Sequence, residues 1–301
     1  MQAAPLKRGK NNKLGPRPEW LRVTTPSHGK LAELDEIVQR EKLHTVCESA
    51  ACPNRGECWT LGTATFMILG NVCTRSCGFC NVLNGRPGGL DLDEPRRVAA
   101  AVASMKLKFA VITSVNRDDL ADGGASAWVA TMRAIRQANP GIGLEVLIPD
   151  FQGNEAAQDM LFRARPEVLN HNVETVPRLY VPVRPQANFE QSLELISRAK
   201  ARGLVTKSGL MLGLGEEMSE VREAIKRLRQ AGCDVLTLGQ YLQPAPESLQ
   251  VARYVHPDEF AALRQEALAL GFMKVDSGPL VRSSYHAEEV VDSADAHRNH
   301  C

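Results

Sequence analysis

The chain has 301 residues, 44% hydrophobic and 24% charged, with 36 Lys and Arg against 35 Asp and Glu. That balance describes a globular protein with a full core and excludes a disordered or collagen-like chain. The longest apolar stretches, such as 109–115, fall far short of the roughly 18 residues a membrane span needs. A net charge of +1 argues against a dedicated nucleic-acid binder.

The first 22 residues carry Lys7, Arg8, Lys10, Lys13, Arg17 and Arg22 against the single acid Glu19, and Pro5, Pro16, Pro18 and Pro26 punctuate the stretch to about residue 30. This pattern predicts an extended arm over the surface. Two readings stay open: a solvated tail, as charge runs usually are, or a contact for an acidic partner. Leu31, Leu34, Ile37 and Val38 then recur at helical spacing and predict a helix over 31–42. From Thr63 onward the pattern becomes regular. Apolar or β-branched runs at 65–69, 110–115, 143–148, 168–173, 206–212 and 235–241 predict strands. Helical segments are predicted at 95–105, 125–138, 154–164, 189–201, 220–231 and 257–270.

Such alternation implies βαβ units with right-handed crossovers, hence an α/β fold on a parallel sheet. A closed eight-stranded barrel needs about 250 residues. Six strands in the length after Thr63 predict instead a partial (β/α)6 TIM-like barrel. Chemistry in such barrels gathers in the loops that follow the strands. Polar residues stand there after each predicted strand: Cys73 to Cys80, Asn116 to Asp119, Asp150, Asn172 with Glu174, Gly213 to Glu217, and Gln240 with Gln243. Any one could be an ordinary loop polar; six in register predict a shared mouth.

Six of the eight cysteines fall between positions 47 and 80. Met1 to Trp20 is polar and basic and offers no apolar stretch for a signal peptide. A reducing compartment is therefore expected, where clustered cysteines point to metal rather than disulfides. Cys73-Thr74-Arg75-Ser76-Cys77-Gly78-Phe79-Cys80 has the spacing C-x3-C-x2-C. Structural zinc takes four ligands, commonly as two C-x2-C pairs. Three thiolates in one tight loop suit an iron–sulfur cubane with one iron left open. Gly78 is expected to let the backbone wrap closely, and Phe79 to limit solvent access. A second trio, Cys47, Cys52 and Cys58, is spaced C-x4-C-x5-C, with Pro53 and Gly56 bending the chain between ligands. A second cubane is the expectation for it; zinc recruiting a fourth ligand such as His44 is the alternative. Cys233 and Cys301 are isolated, and a buried inert thiol is expected at Cys233. His171 is expected to be a satisfied structural histidine, and Trp128 a core residue.

The C-x3-C-x2-C loop at the head of a partial barrel resembles the radical S-adenosylmethionine superfamily. Further segments narrow the likeness: Val46-Cys47-Glu48, Cys52-Pro53-Asn54, Glu57-Cys58-Trp59, Arg117-Asp118-Asp119-Leu120, His171-Asn172-Val173-Glu174-Thr175 and Arg282-Ser283-Ser284-Tyr285-His286-Ala287. Together they resemble the lipoyl synthase family, over about 20–287. Ser248 and Gln250 depart from the His and Pro that many members carry there, and 292–301 has no counterpart.

The resemblance implies two 4Fe-4S clusters and S-adenosylmethionine as cofactors. It implies that Cys73, Cys77 and Cys80 hold the cluster that cleaves S-adenosylmethionine, and that Cys47, Cys52, Cys58 and Ser283 hold an auxiliary cluster. Gly123 and Gly124 are expected to receive the methionine amino group through backbone carbonyls, Asn172 and Glu174 to meet ribose hydroxyls, and Arg184 to bind a carboxylate. The implied reaction inserts two sulfur atoms at C6 and C8 of an octanoyl chain amide-linked to a lysine, the auxiliary cluster supplying the sulfur. Implied partners are octanoylated lipoyl carrier domains (2-oxoacid dehydrogenase E2 subunits and glycine cleavage H protein), flavodoxin or ferredoxin as electron donor, and an iron–sulfur carrier protein. No nucleic acid or membrane partner is expected, and a cytoplasmic monomer is. The chain then divides into an arm and auxiliary-cluster extension (1–62), the barrel (63–275) and a capping C-terminal tail (276–301). The rival readings are another sulfur-inserting radical enzyme of methylthiotransferase type and a non-catalytic iron–sulfur electron carrier.

Overall fold

The computed structural model describes residues 14, 16–22, 28–49, 52, 54–284, 287, 289 and 290. Pro5, Lys7, Arg8, Lys10, Lys13 and Pro26 of the arm lie outside the described residues, as do Pro53, Tyr285, His286 and 291–301 with Cys301.

An apolar stripe makes α1 (His28–Arg40), whose Leu34, Ile37 and Val38 are buried. Strand β1 (His44–Thr45), α2 (Val46–Ser49) and α3 (Arg55–Leu61) lead into β2 (Thr63–Ile68), buried along its whole length. The short strands β3 (Val72–Cys73) and β4 (Leu83–Asn84) bracket the C-x3-C-x2-C loop. Then follow α4 (Glu94–Ser104), β5 (Phe109–Ser114), α5 (Ala125–Ala138), β6 (Gly143–Leu147), α6 (Glu155–Arg163) and β7 (Val168–Asn170). The chain continues through α7 (Tyr180–Val183), α8 (Phe189–Ala201), β8 (Val205–Leu212), α9 (Met218–Gln230), β9 (Val235–Gln240), α10 (Pro257–Ala269) and β10 (Lys274–Gly278). Every strand and helix expected from periodicity is present.

The helices form where a one-sided apolar stripe meets a cap. α5 buries Ala125, Trp128, Met132 and Ile135 at helical spacing, so Trp128 is core as expected. The Asn154 side chain accepts from the Ala157 amide at the start of α6, and Asn188 from Glu190 and Gln191 at the start of α8.

The main sheet runs β1-β2-β5-β6-β7-β8-β9-β10, every pair parallel except β1 with β2. Strand order equals chain order, which is the winding of an open barrel. The sheet differs from the six-strand expectation at both edges. His44 pairs with Met67 antiparallel, and β10 adds a seventh parallel strand, Lys274 opposite Val235 through Gly278 opposite Gly239. β10 spans the point where the tail was expected to begin. Its composition, Lys-Val-Asp-Ser-Gly, lacks the apolar run of a buried strand and hid it from periodicity.

A polar pair lies deep in the sheet: Lys207 Nζ stands 2.9 Å from Glu145 Oε2, both fully buried, and Asn170 donates to Glu145 at 2.7 Å. Cys233 is fully buried, its thiol pushed up by burial and donating to the Val235 carbonyl at 3.2 Å. Among the described residues no helix is long and apolar enough to cross a membrane.

Candidate active site

Four of the seven non-glycine residues with positive φ among the described residues follow the ends of strands; Lys42, Lys106 and Arg165 instead follow the ends of helices. Leu69 follows β2 with φ 69°, Phe151 and Gln152 follow β6 with φ 52° and 53°, and Glu174 follows β7 with φ 66°. Such conformations are costly for side-chain-bearing residues and cluster at functional sites. The Glu94 carboxylate holds one of these turns, accepting from the amides of Leu69 (2.7 Å) and Gly70 (3.4 Å).

The C-x3-C-x2-C loop begins there and is tied on several sides. The Thr74 amide donates to the Asn116 carbonyl at 3.1 Å, and the Asp118 amide to the Thr74 hydroxyl at 3.1 Å. Arg75, buried, donates to both oxygens of Asp118 (2.7 and 2.9 Å) and both of Asp150 (2.9 and 2.6 Å). These charge-assisted bonds lock the loop to the loops after β5 and β6. At Gly78 a Cβ would stand 2.8 Å from Leu249 and 3.3 Å from the Pro182 carbonyl. Glycine therefore lets the loop lie directly against Leu249 and the Pro182 carbonyl.

Three thiols face one neighbourhood. Burial pushes the Cys77 thiol up to about 12; the Arg184 charge opposes this, while Cys80, Cys73 and Glu174 add to it. Amide N–H groups of Arg75 and Asn116 point at Cys73 Sγ (3.4 and 3.3 Å), and that of Val82 at Cys80 Sγ (3.4 Å). Donors of this kind stabilise sulfur ligands of an iron–sulfur cluster. Among the described residues no three His, Cys, Asp or Glu side chains converge on a single metal-ion position. The fit to a cluster is thus one of donor chemistry: three thiols, amide donors to sulfur, and no fourth protein ligand in the loop.

Beside the loop lies a cavity of about 370 Å³, within the range of small-molecule sites. Cys80, Asn172, Glu174 and Ser283 line it together, with Phe79, Leu210, Met211, Leu242 and Val281 supplying apolar wall. Enclosure pushes the Glu174 carboxyl above its usual range, opposed by Arg184 and a hydrogen bond from Asn172. The Asn172 Oδ1 is buried without a partner, an acceptor facing a site that holds none of its donors. Arg184 was expected to bind a carboxylate. Its Nη1 donates to the carbonyls of Asn172 (2.9 Å) and Val173 (3.1 Å) and its guanidinium lies 5.4 Å from the Tyr180 ring centroid, clasping the segment that presents Asn172 and Glu174, while its buried Nε has no partner among the described residues.

Gly123 and Gly124 do not line this cavity. They turn the chain into α5, with φ 59° and 88°, and Gly123 borders a polar cleft of about 210 Å³ with Asp118 and Gln152. A Cβ would come within 2.8 Å of Phe151 at Gly123 and 2.6 Å of Leu69 at Gly124. Gln240 is engaged within the fold, its side chain accepting from Val255 and donating to the carbonyls of Tyr241 and Arg253.

His171 Nδ1 lies 2.8 Å from the Ile148 carbonyl, which can only accept, so that nitrogen carries the proton, and Nε2 lies 3.0 Å from the Ser192 hydroxyl. Burial first, then the charge of Arg184, pushes its pKa down to about 4. It is the satisfied structural histidine expected.

The other trio surrounds a narrow cleft of about 10 Å³ lined by Cys47, Cys52, Cys58, Arg55, Arg282 and Ser284. Burial, then Cys52, pushes the Cys47 thiol up. Burial lowers the Arg282 guanidinium's pKa while Cys52 opposes the shift. Arg55 is paired with Asp35 and Glu48, which leaves Arg282 as the cation beside the three thiols without a carboxylate partner among the described residues. His44 does not line this cleft. The tail reaches it from the far end of the chain: Asn54 Nδ2 donates to the Leu280 carbonyl at 2.7 Å, 226 positions away. Ser284 borders the cleft, whereas Ser283 borders the large cavity.

Residues 67–228 match the radical SAM superfamily. Over 280 residues the chain is 56% identical to a lipoyl synthase of Chlorobaculum parvum, covering 92% of this chain and 96% of that one. The lipoyl synthase of Rubrobacter xylanophilus is likewise 56% identical over 92% of this chain and 87% of its own length. That of Stutzerimonas stutzeri is 51% identical over 96% and 90%. The chain belongs to the lipoyl synthase family. Among solved structures, methylornithine synthase superposes with a TM-score of 0.52 at 12% identity, covering 81% of each chain. Streptococcus suis SuiB bound to S-adenosylmethionine superposes with 0.53 at 11% identity, covering 68% of this chain and 45% of that one. These distant likenesses show the fold: a radical SAM partial barrel.

Sequence reading missed two residues that the fold of this lipoyl synthase family member brings into its site. Arg75 carried a signal, a cation between the first two cysteines of the loop, but its partners Asp118 and Asp150 lie 43 and 75 positions away. Arg282 lay within a recognised segment, and only packing shows that it borders both hollows.

Proposed function

We infer that this chain inserts two sulfur atoms at C6 and C8 of an octanoyl group carried on a lysine of a lipoyl domain, completing the lipoyl cofactor. It is a radical S-adenosylmethionine enzyme using 4Fe-4S clusters. One observation carries the assignment of roles. The cavity beside the C-x3-C-x2-C loop has Cys80 on one wall and Ser283 on another, and Arg282 links it to the cleft of the second trio.

Cys73, Cys77 and Cys80 would hold one cluster, and Cys47, Cys52 and Cys58 with Ser283 the auxiliary one. When bound, the first supplies the electron that opens the sulfonium bond of S-adenosylmethionine, and the second supplies sulfur. Asn172 Oδ1 and Glu174 offer acceptors to ribose hydroxyls, with Arg184 as the clasp that positions them. Gly123 and Gly124 are proposed to receive the methionine amino group through their carbonyls. Phe79, Leu210, Met211 and Leu242 take the acyl chain and exclude water from a reaction at saturated carbon.

The division proposed is an extension (1–62), a barrel (63–275) and a tail (276–301). Carrier domains of 2-oxoacid dehydrogenase E2 subunits and of glycine cleavage H protein are the proposed substrates. Flavodoxin or ferredoxin is the proposed reductant, and an iron–sulfur carrier protein the source of repair, all in a cytoplasmic setting. Anaerobic turnover of the reconstituted protein with S-adenosylmethionine, dithionite and an octanoyl-lysine peptide tests the reading, with product identified by mass. A lipoyl-lysine product is expected; 5′-deoxyadenosine without any sulfur adduct would sink the substrate assignment.

A further inference from the structure

Arg282 has no role in the reading above, yet it borders both the cleft of Cys47, Cys52 and Cys58 and the cavity of Cys80 and Ser283. Its Nη1 donates to the Val281 carbonyl at 2.7 Å, and among the described residues no carboxylate pairs with it. The fold places it there by force of packing. A Cβ at Gly239, near the end of β9, would stand 2.2 Å from the Val281 carbonyl oxygen and 3.4 Å from Arg282 Nη1. Glycine thus lets the tail lie directly on the strand. Asn54 grips the preceding residue, Leu280, from the cysteine side. The tail is clamped between barrel and cysteine helices, with a guanidinium in the gap.

A partly buried guanidinium without a counter-charge is unfavourable, and an anion beside it offsets that cost. Thiolate-ligated clusters are anionic, and donors to their sulfurs raise their reduction potential. We propose that Arg282 is a positioning residue whose guanidinium is the counter-charge of the group held by Cys47, Cys52 and Cys58, and the partition between that group and the acyl cavity. The inference rests on the reading of that trio as a cluster site. A purely structural Arg282 would affect unfolding temperature alone.

The test uses the full chain with Cys73, Cys77 and Cys80 replaced by Ala, so that only the auxiliary site binds iron, carrying Arg282, Arg282→Lys or Arg282→Gln. Iron per chain and EPR-monitored redox titration are read after anaerobic reconstitution with ferrous iron and sulfide. The parent is expected to hold about four irons. The Gln variant should titrate at a more negative potential or lose the cluster, and the Lys variant should fall between. In the chain with all cysteines present, Arg282→Gln should raise the ratio of 5′-deoxyadenosine to lipoyl product about tenfold, the scale of one charge-assisted hydrogen bond. Circular dichroism checks folding; if the Gln variant fails to fold, the Lys variant carries the test, with a smaller shift of the same sign. Unchanged potential and ratio in the folded variants would overturn the role of Arg282 while leaving the trio intact. A parent that binds no iron would overturn the trio reading and this inference together.

Discussion

The two cysteine trios are built differently. The loop of Cys73, Cys77 and Cys80 is held by polar bonds to several barrel loops, and Arg75 by itself joins it to two of them. The trio of Cys47, Cys52 and Cys58, spread over α2, α3 and the connection between them, borders a narrow cleft closed by a tail from the far end of the chain. The first arrangement is preorganised within the barrel mouth. The second is completed only when the tail packs between β9 and the cysteine helices.

The sharpest way to break this comparison is to remove one thiol from the rigid loop. Cys77→Ala should abolish 5′-deoxyadenosine formation and leave about four irons per chain on the other trio, by turnover assay and iron analysis. Loss of iron from both trios would show that the regions are not independent. Next in size, Arg75→Met leaves Asp118 and Asp150 without their cation. Uncompensated buried charge costs about 3–5 kcal/mol, so denaturant unfolding should show a loss on that scale. An equal loss from Arg55→Met, at the partly exposed cation of the other trio, would remove the contrast.

A smaller effect comes from pH. His171 sits behind the rigid loop and stays neutral in the folded state, its pKa about 4. The unfolded chain, near 6.5, binds the proton first as pH falls, so stability present above about pH 6.5 is lost toward pH 4. The loss should reach about 3 kcal/mol and should shrink in His171→Gln, as read by unfolding curves across that window. Smallest are changes at the tail. Asn54→Ala removes one hydrogen bond, worth about 1 kcal/mol, and should ease loss of auxiliary iron without touching the other site. Ser283→Cys should change only the auxiliary cluster's spectrum, and Ser284→Ala should change it less. The reverse order would move the ligand assignment to Ser284, which borders the cleft.

The barrel was legible because its strands and helices announce themselves over short windows. Runs such as Thr63–Ile68 and stripes such as that of α5 depend on neighbours within a turn or a pleat. β10 was not, because its pairing with β9 outweighs a composition that disfavours strands. Cys73, Cys77 and Cys80 were legible from spacing. Arg184 was noticed, but its attachment to the carbonyls of Asn172 and Val173 depends on how the chain folds back from α7.

The amino-acid sequence by itself determined the family, the parallel α/β winding and two separate three-cysteine sets, since each rests on local order: periodicity, spacing and short motifs. Only the tertiary structure decided which residues share a space. Arg75 meets Asp118 and Asp150, Ser283 and Ser284 part company between two hollows, and Arg282 borders both. Those pairings close loops of tens to hundreds of residues, and contact across such distances is set by packing of the whole barrel rather than by any local signal.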